Sequence, residues 1–122
     1  MKIINSFKYA ITGFLHCVKR ERNFRIHLVV SVVVIALAAF FNLSRIEFAA
    51  IIGAIALVLV TEMINTAIER IVDNLTTERN ENAKIAKDVA AGAVFVSAIF
   101  AAIVGFVVFA PRVLEIIRSV IV

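Results

Sequence analysis

Apolar residues in this chain come in long runs, separated at intervals by charge. Residues 26–43 (IHLVVSVVVIALAAFFNL) hold no Asp, Glu, Lys or Arg. A second uncharged run covers 48–61, and its helix is expected to continue through Glu62 to about Val72. A third covers 89–111. Crossing a bilayer takes about 20 mostly apolar residues, and a segment in lipid has to satisfy its own backbone, as a helix does. The pattern therefore predicts three transmembrane helices, over 26–43, 47–72 and 88–111. Asn42-Leu43-Ser44 reads as a short turn, with Ser44 three residues before Glu47 at the spacing of a capping box. Pro111 is expected to end the third span.

Residues 1–25 are patterned differently. Ile3, Phe7, Ala10, Ile11, Phe14 and Val18 recur at helical spacing, with Lys8, Thr12 and Lys19 toward the other side. That predicts an amphipathic helix lying along the membrane interface, if only as a basic anchor.

Composition narrows the class. Of 122 residues 62% are apolar and 18% charged, against about 45–50% and about 25% in an average soluble domain. So short a chain cannot hide that much apolar surface in one globule. The expectation is an all-α integral membrane protein with one domain over 1–122. Four glycines and one proline exclude linker-rich or collagen-like organisation. Cys17 is the sole cysteine, so no intrachain disulfide is possible. No cleavable signal peptide is expected, because six cations interrupt the first 25 residues.

The net charge of +4 matters less than where the charges lie, and no nucleic-acid partner is inferred from it. Lys2, Lys8, Lys19, Arg20, Arg22, Arg25, Arg70, Arg79, Lys84 and Lys87 fall on one side of the membrane; Arg45, Arg112 and Arg118 fall on the other. By the positive-inside rule the N-terminus and the 70–88 loop face the cytoplasm. The expected location is the cell (inner or plasma) membrane, multi-pass.

Candidate chemistry breaks the second span. Glu62, Asn65, Glu69 and Asp73 are spaced by three, four and four residues and share an arc of roughly 80° at about 100° per residue. A carboxylate inside a span is costly and signals function. Glu62 falls roughly 7–8 Å inside the cytoplasmic boundary, at the depth of a lipid hydroxyl; Glu69 and Asp73 fall at or beyond it. The poorly solvated Glu62 is suited to act as a general base. Glu69, nearer water, is suited to a hard cation such as Mg²⁺. Interhelical polar contacts in an oligomer are the plainer account of such residues. Against that account, Glu21-Arg22-Asn23-Phe24-Arg25 and Lys87-Asp88 meet the stripe at the same boundary. A Lys beside carboxylates and a metal is a usual way to offset phosphate charge. No glycine-rich phosphate loop is present. His16 and Cys17 diverge around a helix and are not expected to bind metal. His27 is expected to be a boundary residue, and Ala90-Ala91-Gly92-Ala93 a close-packing surface.

Four segments carry a resemblance: Ser6-Phe7-Lys8-Tyr9-Ala10, Glu21-Arg22-Asn23-Phe24-Arg25-Ile26-His27, Glu62-x-x-Asn65-Thr66-Ala67-Ile68-Glu69-x-x-Val72-Asp73, and Ala83-Lys84-Ile85-Ala86-Lys87-Asp88-Val89-Ala90-Ala91-Gly92-Ala93-Val94. Together, over about residues 5–111, the chain resembles the prokaryotic diacylglycerol kinase family, most like its Gram-positive undecaprenol kinases. The resemblance implies a homotrimer with sites shared between protomers, and Mg·ATP-dependent phosphorylation of a lipid alcohol. It implies Glu62 as the catalytic base, Glu62 and Asn65 at the lipid substrate, and Glu21 and Glu69 as Mg²⁺-linked carboxylates. Tyr9, Asp73, Lys87 and Asp88 fall at the nucleotide, as do Glu78, Arg79 and Asn80 in the loop. Many relatives carry His where this chain has Asn80.

Undecaprenol is the lipid the resemblance favours, with diacylglycerol, giving phosphatidic acid, as the alternative. Two other classes fit less well. A small proton-coupled multidrug transporter needs its acid near mid-bilayer, and a membrane scaffold gives no reason for acids to gather.

Overall fold

The structure is a computed structural model that describes residues 2–75, 77–78 and 80–122. Four helices follow one another: α1 (Lys2–Arg20), α2 (Arg22–Phe40), α3 (Arg45–Leu75) and α4 (Glu81–Ile121). The last three are each long and apolar enough to cross a membrane.

α1 and α2 are divided by one residue. Glu21 is extended (φ −103°, ψ 112°), so Arg22–Arg25, expected in the first helix, start the second. The side chain of Arg25 turns back and donates to the Val18 and Lys19 carbonyls at 3.1 and 3.0 Å. Those carbonyls end α1 and have lost their helical partners. Phe24, fully buried, meets Phe14 edge-on at 5.3 Å and closes the inside of the bend.

The turn from α2 to α3 is built by two caps. The Asn42 amide donates to Ala39 O and the Leu43 amide to Ala38 O, both at 3.2 Å, with Asn42 at φ 50°. This is a Schellman ending, with Asn accepting the left-handed position usually given to Gly. The expected capping box follows: the Glu47 amide donates to Ser44 Oγ at 3.2 Å, and the Ser44 amide to Glu47 Oε1 at 3.3 Å.

α3 is the central element and touches every other helix, α4 most extensively. Its buried face runs Ile51, Ala54, Val58, Glu62, Thr66, a three-four-four-four spacing that keeps one side inward. Glu62 therefore continues the apolar packing stripe. α2 and α4 flank α3 without close backbone approach among the described residues, and Phe41, the C-cap of α2, meets Phe109 of α4 with ring centroids 6.0 Å apart. A cavity of about 330 Å³ lies between the two helices, floored by Ile51, Ala54 and Val58 and walled by Val34, Ala102 and Phe106. Most of the apolar surface of the spans stays exposed in one copy, as lipid-facing helices allow.

The third span departs from expectation at Pro111. The helix does not stop there: α4 runs through Pro111 to Ile121. Proline removes one helical donor and crowds the carbonyl four residues back. Here the next side chain supports the turn, because Arg112 Nη1 donates to the Val108 carbonyl at 2.9 Å. The same guanidinium grips Glu47 two-pronged, at 2.6 and 2.8 Å, and ties α4 beyond the proline to the first turn of α3. Such forked pairs are stronger than single ionic bonds. Arg112→Ala is expected to lower the thermal unfolding midpoint in detergent by several degrees. Glu47→Ala should lower it further, because the capping box goes as well. The double variant should lose less than the sum of the two single losses, because both remove the same pair, and losses that simply add would show that the two side chains act independently.

Candidate active site

The polar stripe on α3 is graded in exposure. Glu62 is buried, at 5%. Asn65 and Glu69 are half-buried and Asp73 is exposed. Eleven residues of helix carry this gradient over roughly 16 Å, from an interior carboxylate to one in water.

At the buried end, His27 Nε2 on α2 stands 3.2 Å from Glu62 Oε1. The His27 ring also lines the apolar cavity, as does Val58, one turn of α3 before Glu62. Glu62 meets the cavity through the His27 ring. Across from it, at the α1–α2 bend, Glu21 is half-buried. Cys17 lies among Glu21, Glu62 and Thr66; burial raises its thiol pKa, the Glu21 charge adds to that, and a hydrogen bond with Thr66 opposes it. A thiol so placed stays protonated and unreactive. His16, beside it, meets the Arg70 guanidinium at 3.3 Å and so ties α1 to α3.

One turn further, Asn65 Nδ2 donates to Glu69 Oε1 at 3.4 Å, while Asn65 Oδ1 is buried with no partner. A buried amide oxygen left unpaired is uncommon and calls for a ligand or a role. An orphaned oxygen beside a carboxylate suits a hard cation, since Mg²⁺ takes oxygen ligands and is commonly held by one or two carboxylates, with water and phosphate completing its shell. Among the described residues no group of three or more His, Cys, Asp or Glu side chains forms a ready-made metal cage. Of the two carboxylates expected to share a metal, Glu21 lies at the α1–α2 bend and Glu69 on α3.

At the wet end, Lys87 Nζ on α4 donates to Asp73 Oδ1 at 2.9 Å. Neighbouring Asp88 pairs instead with Lys84 at 2.6 Å, so Lys87 and Asp88 diverge. Both line a polar cleft of about 440 Å³ with Asp73, Thr77, Glu78 and Asn80. Asn80 is also the N-cap of α4, its Oδ1 accepting from the Ala83 amide at 3.2 Å. Lys84 and Lys87 in this cleft can offset phosphate charge. Tyr9 lies exposed on α1 and lines neither cavity. Arg79 lies outside the described residues.

The structure thus gathers Glu62, Asn65, Glu69 and Asp73 on α3 and adds Lys87 and Asp88 from α4, with Glu21 at the α1–α2 bend. His27 is the residue that sequence reasoning assigned only to a boundary. A signal was present: His27 opens an otherwise uncharged run at the same membrane boundary that Glu62 approaches.

Comparison with known proteins follows the same residues. A family model described as prokaryotic diacylglycerol kinase matches residues 8–109. A diacylglycerol kinase of Synechocystis sp. is 41% identical over 114 residues, which cover 93% of this chain and 65% of that protein. An undecaprenol kinase of Bacillus subtilis is 37% identical over 111 residues, covering 91% of this chain and 90% of the relative. A diacylglycerol kinase of Pseudomonas aeruginosa is 38% identical over 96 residues, covering 79% and 78%.

Proposed function

The chain belongs to the prokaryotic diacylglycerol kinase family and is a lipid kinase, and from that premise we propose that it transfers the γ-phosphoryl group of Mg·ATP to undecaprenol at the cytoplasmic face of the cell membrane. The observation that carries this reading is the buried Glu62 carboxylate, 3.2 Å from the His27 ring that lines an apolar cavity, and joined by one helix face to a polar cleft in water. A lipid alcohol and a water-borne donor have to meet across that boundary, and α3 spans it.

The alcohol enters laterally and presents its hydroxyl to Glu62. Glu62 takes the proton as the oxygen attacks the γ-phosphorus, and the electron pair of the broken phosphorus–oxygen bond leaves with ADP. Transfer is direct, in line, with no covalent enzyme intermediate. Mg²⁺, when bound, offsets the charge developing on the phosphates, and Glu69, Asn65 Oδ1 and Glu21 are the oxygen donors that would hold it. Lys87, Asp73, Asp88, Glu78 and Asn80 line the nucleotide side, with Tyr9 and Arg79 contributing from α1 and the loop. α1 lies along the interface as an amphipathic helix. The family resemblance implies a homotrimer, in which Glu21 would complete the metal site from a neighbouring protomer.

A second reading, phosphorylation of diacylglycerol, is favoured by the names of the Synechocystis and Pseudomonas relatives. The ERNFRIH segment at Glu21–His27 and the Bacillus relative, matched over nine-tenths of both chains, favour the polyprenol. The two lipids are to be offered together in one mixed micelle with radiolabelled ATP. Undecaprenol is expected to be preferred about tenfold or more in kcat/KM, a difference of about 1.4 kcal/mol. Equal labelling, or preference for diacylglycerol, would move the assignment to the second lipid.

A further inference from the structure

We propose that His27 is a positioning residue for phosphoryl transfer: its Nε2–H holds one oxygen of Glu62 and leaves the other free to take the lipid hydroxyl's proton. The proposal rests on the reading of Glu62 as the base.

The geometry is specific. The Glu62 side chain is 7% exposed, and His27 Nε2 stands 3.2 Å from its Oε1. A buried carboxylate without a partner is strongly disfavoured, and among the described residues His27 is that partner. Against an ionised carboxylate the facing imidazole nitrogen has to be the donor, which sets the ring's tautomer. His27 sits on a different helix from Glu62, so the contact fixes the carboxylate relative to the cavity between α2 and α4. On the α4 side that cavity offers only Ala98, Ala101, Ala102, Gly105 and Phe106, none of which can hold a carboxylate.

The choice of imidazole fits the chemistry. During transfer the alcohol O–H bond breaks and its proton goes to Glu62 Oε2. The oxygen's electron pair forms the new bond to phosphorus, and the phosphorus–oxygen bond to ADP breaks with its pair. Glu62 ends the step neutral. A permanent cation at that position, such as Arg or Lys, would oppose that neutralisation, and the fork of Arg would occupy both oxygens. An imidazole presents a single N–H to one oxygen and leaves the other open.

The test uses the full chain in mixed micelles, with His27→Ala, His27→Gln and Glu62→Gln measured side by side, together with their unfolding midpoints. His27→Ala is expected to lower kcat by about ten- to a hundredfold, as loss of an orienting partner usually does, with KM for ATP within about twofold of wild type. His27→Gln should keep most of the activity, because its amide nitrogen can donate to the same oxygen. Added imidazole should restore His27→Ala in a saturable manner and leave Glu62→Gln unchanged. Wild-type or higher kcat in His27→Ala, alongside an inactive Glu62→Gln, overturns the proposal while leaving the base in place. Equal losses in His27→Ala and His27→Gln, with lowered midpoints and no imidazole rescue, overturn it in favour of a purely structural contact. An active Glu62→Gln instead removes the base itself, and the proposal with it.

Discussion

Glu62→Gln lowers lipid phosphorylation by about a hundredfold to ten-thousandfold, the range a positioned general base supplies, while ATP binds as before. The substitution is chosen for what it preserves. Gln has the same shape, and its carbonyl oxygen can stand where Oε1 stands, 3.2 Å from His27 Nε2. The buried α3 stripe from Ile51 to Thr66 keeps its packing, so the fold is not at issue. What disappears is the ability to receive a proton. The polar cleft proposed for the nucleotide lies roughly three turns further along α3, with its own lining of Asp73, Lys87 and Asp88, and is untouched. Initial rates with undecaprenol, read beside an equilibrium ATP titration, separate the two effects. Near-full turnover in this variant would end the assignment of Glu62 as base, and an equal loss of ATP affinity would place its role in binding.

Glu69→Ala is expected to cost about a hundredfold in kcat, comparable to removing one electrostatic partner of a developing charge, and to raise the Mg²⁺ concentration for half-maximal activity. Glu69 sits half-buried between the interior base and the wet cleft. Its Oε1 accepts from Asn65 Nδ2 at 3.4 Å, which leaves Asn65 Oδ1 buried and unpaired beside it. Two hard oxygen donors one turn apart are suited to Mg²⁺. Alanine removes the carboxylate and also frees the Asn65 amide to turn, so both donors are affected together. Glu69→Asp, with its carboxylate set back by one methylene, should recover part of the rate at high Mg²⁺. Rates measured across a Mg²⁺ series decide the matter. An unchanged Mg²⁺ requirement in Glu69→Ala would take Glu69 out of the metal site.

Local pattern carried much of the fold. The uncharged runs located α2, α3 and α4 because burial in lipid demands unbroken apolar length, which is visible residue by residue. The Ser44–Glu47 capping box formed as its spacing required, since both bonds lie within one turn. The stripe Glu62, Asn65, Glu69, Asp73 was legible for the same reason: one helix face is a matter of periodicity. Pro111 misled because proline penalises a helix locally, whereas Arg112 reaches both the Val108 carbonyl and Glu47, sixty-five residues away in sequence. Arg25, grouped with the site's charges, turned out to close α1 through the Val18 and Lys19 carbonyls.

What the amino-acid order determined alone is the number of spans, their turns, and which acids share a face of α3, because each follows from hydropathy and the helical repeat. Only the tertiary structure decided that His27 faces Glu62, that Lys87 takes Asp73 while Asp88 takes Lys84, and that an apolar cavity separates α2 from α4. These depend on how whole helices are rotated and spaced about α3, and that is set by side-chain packing between segments distant in sequence.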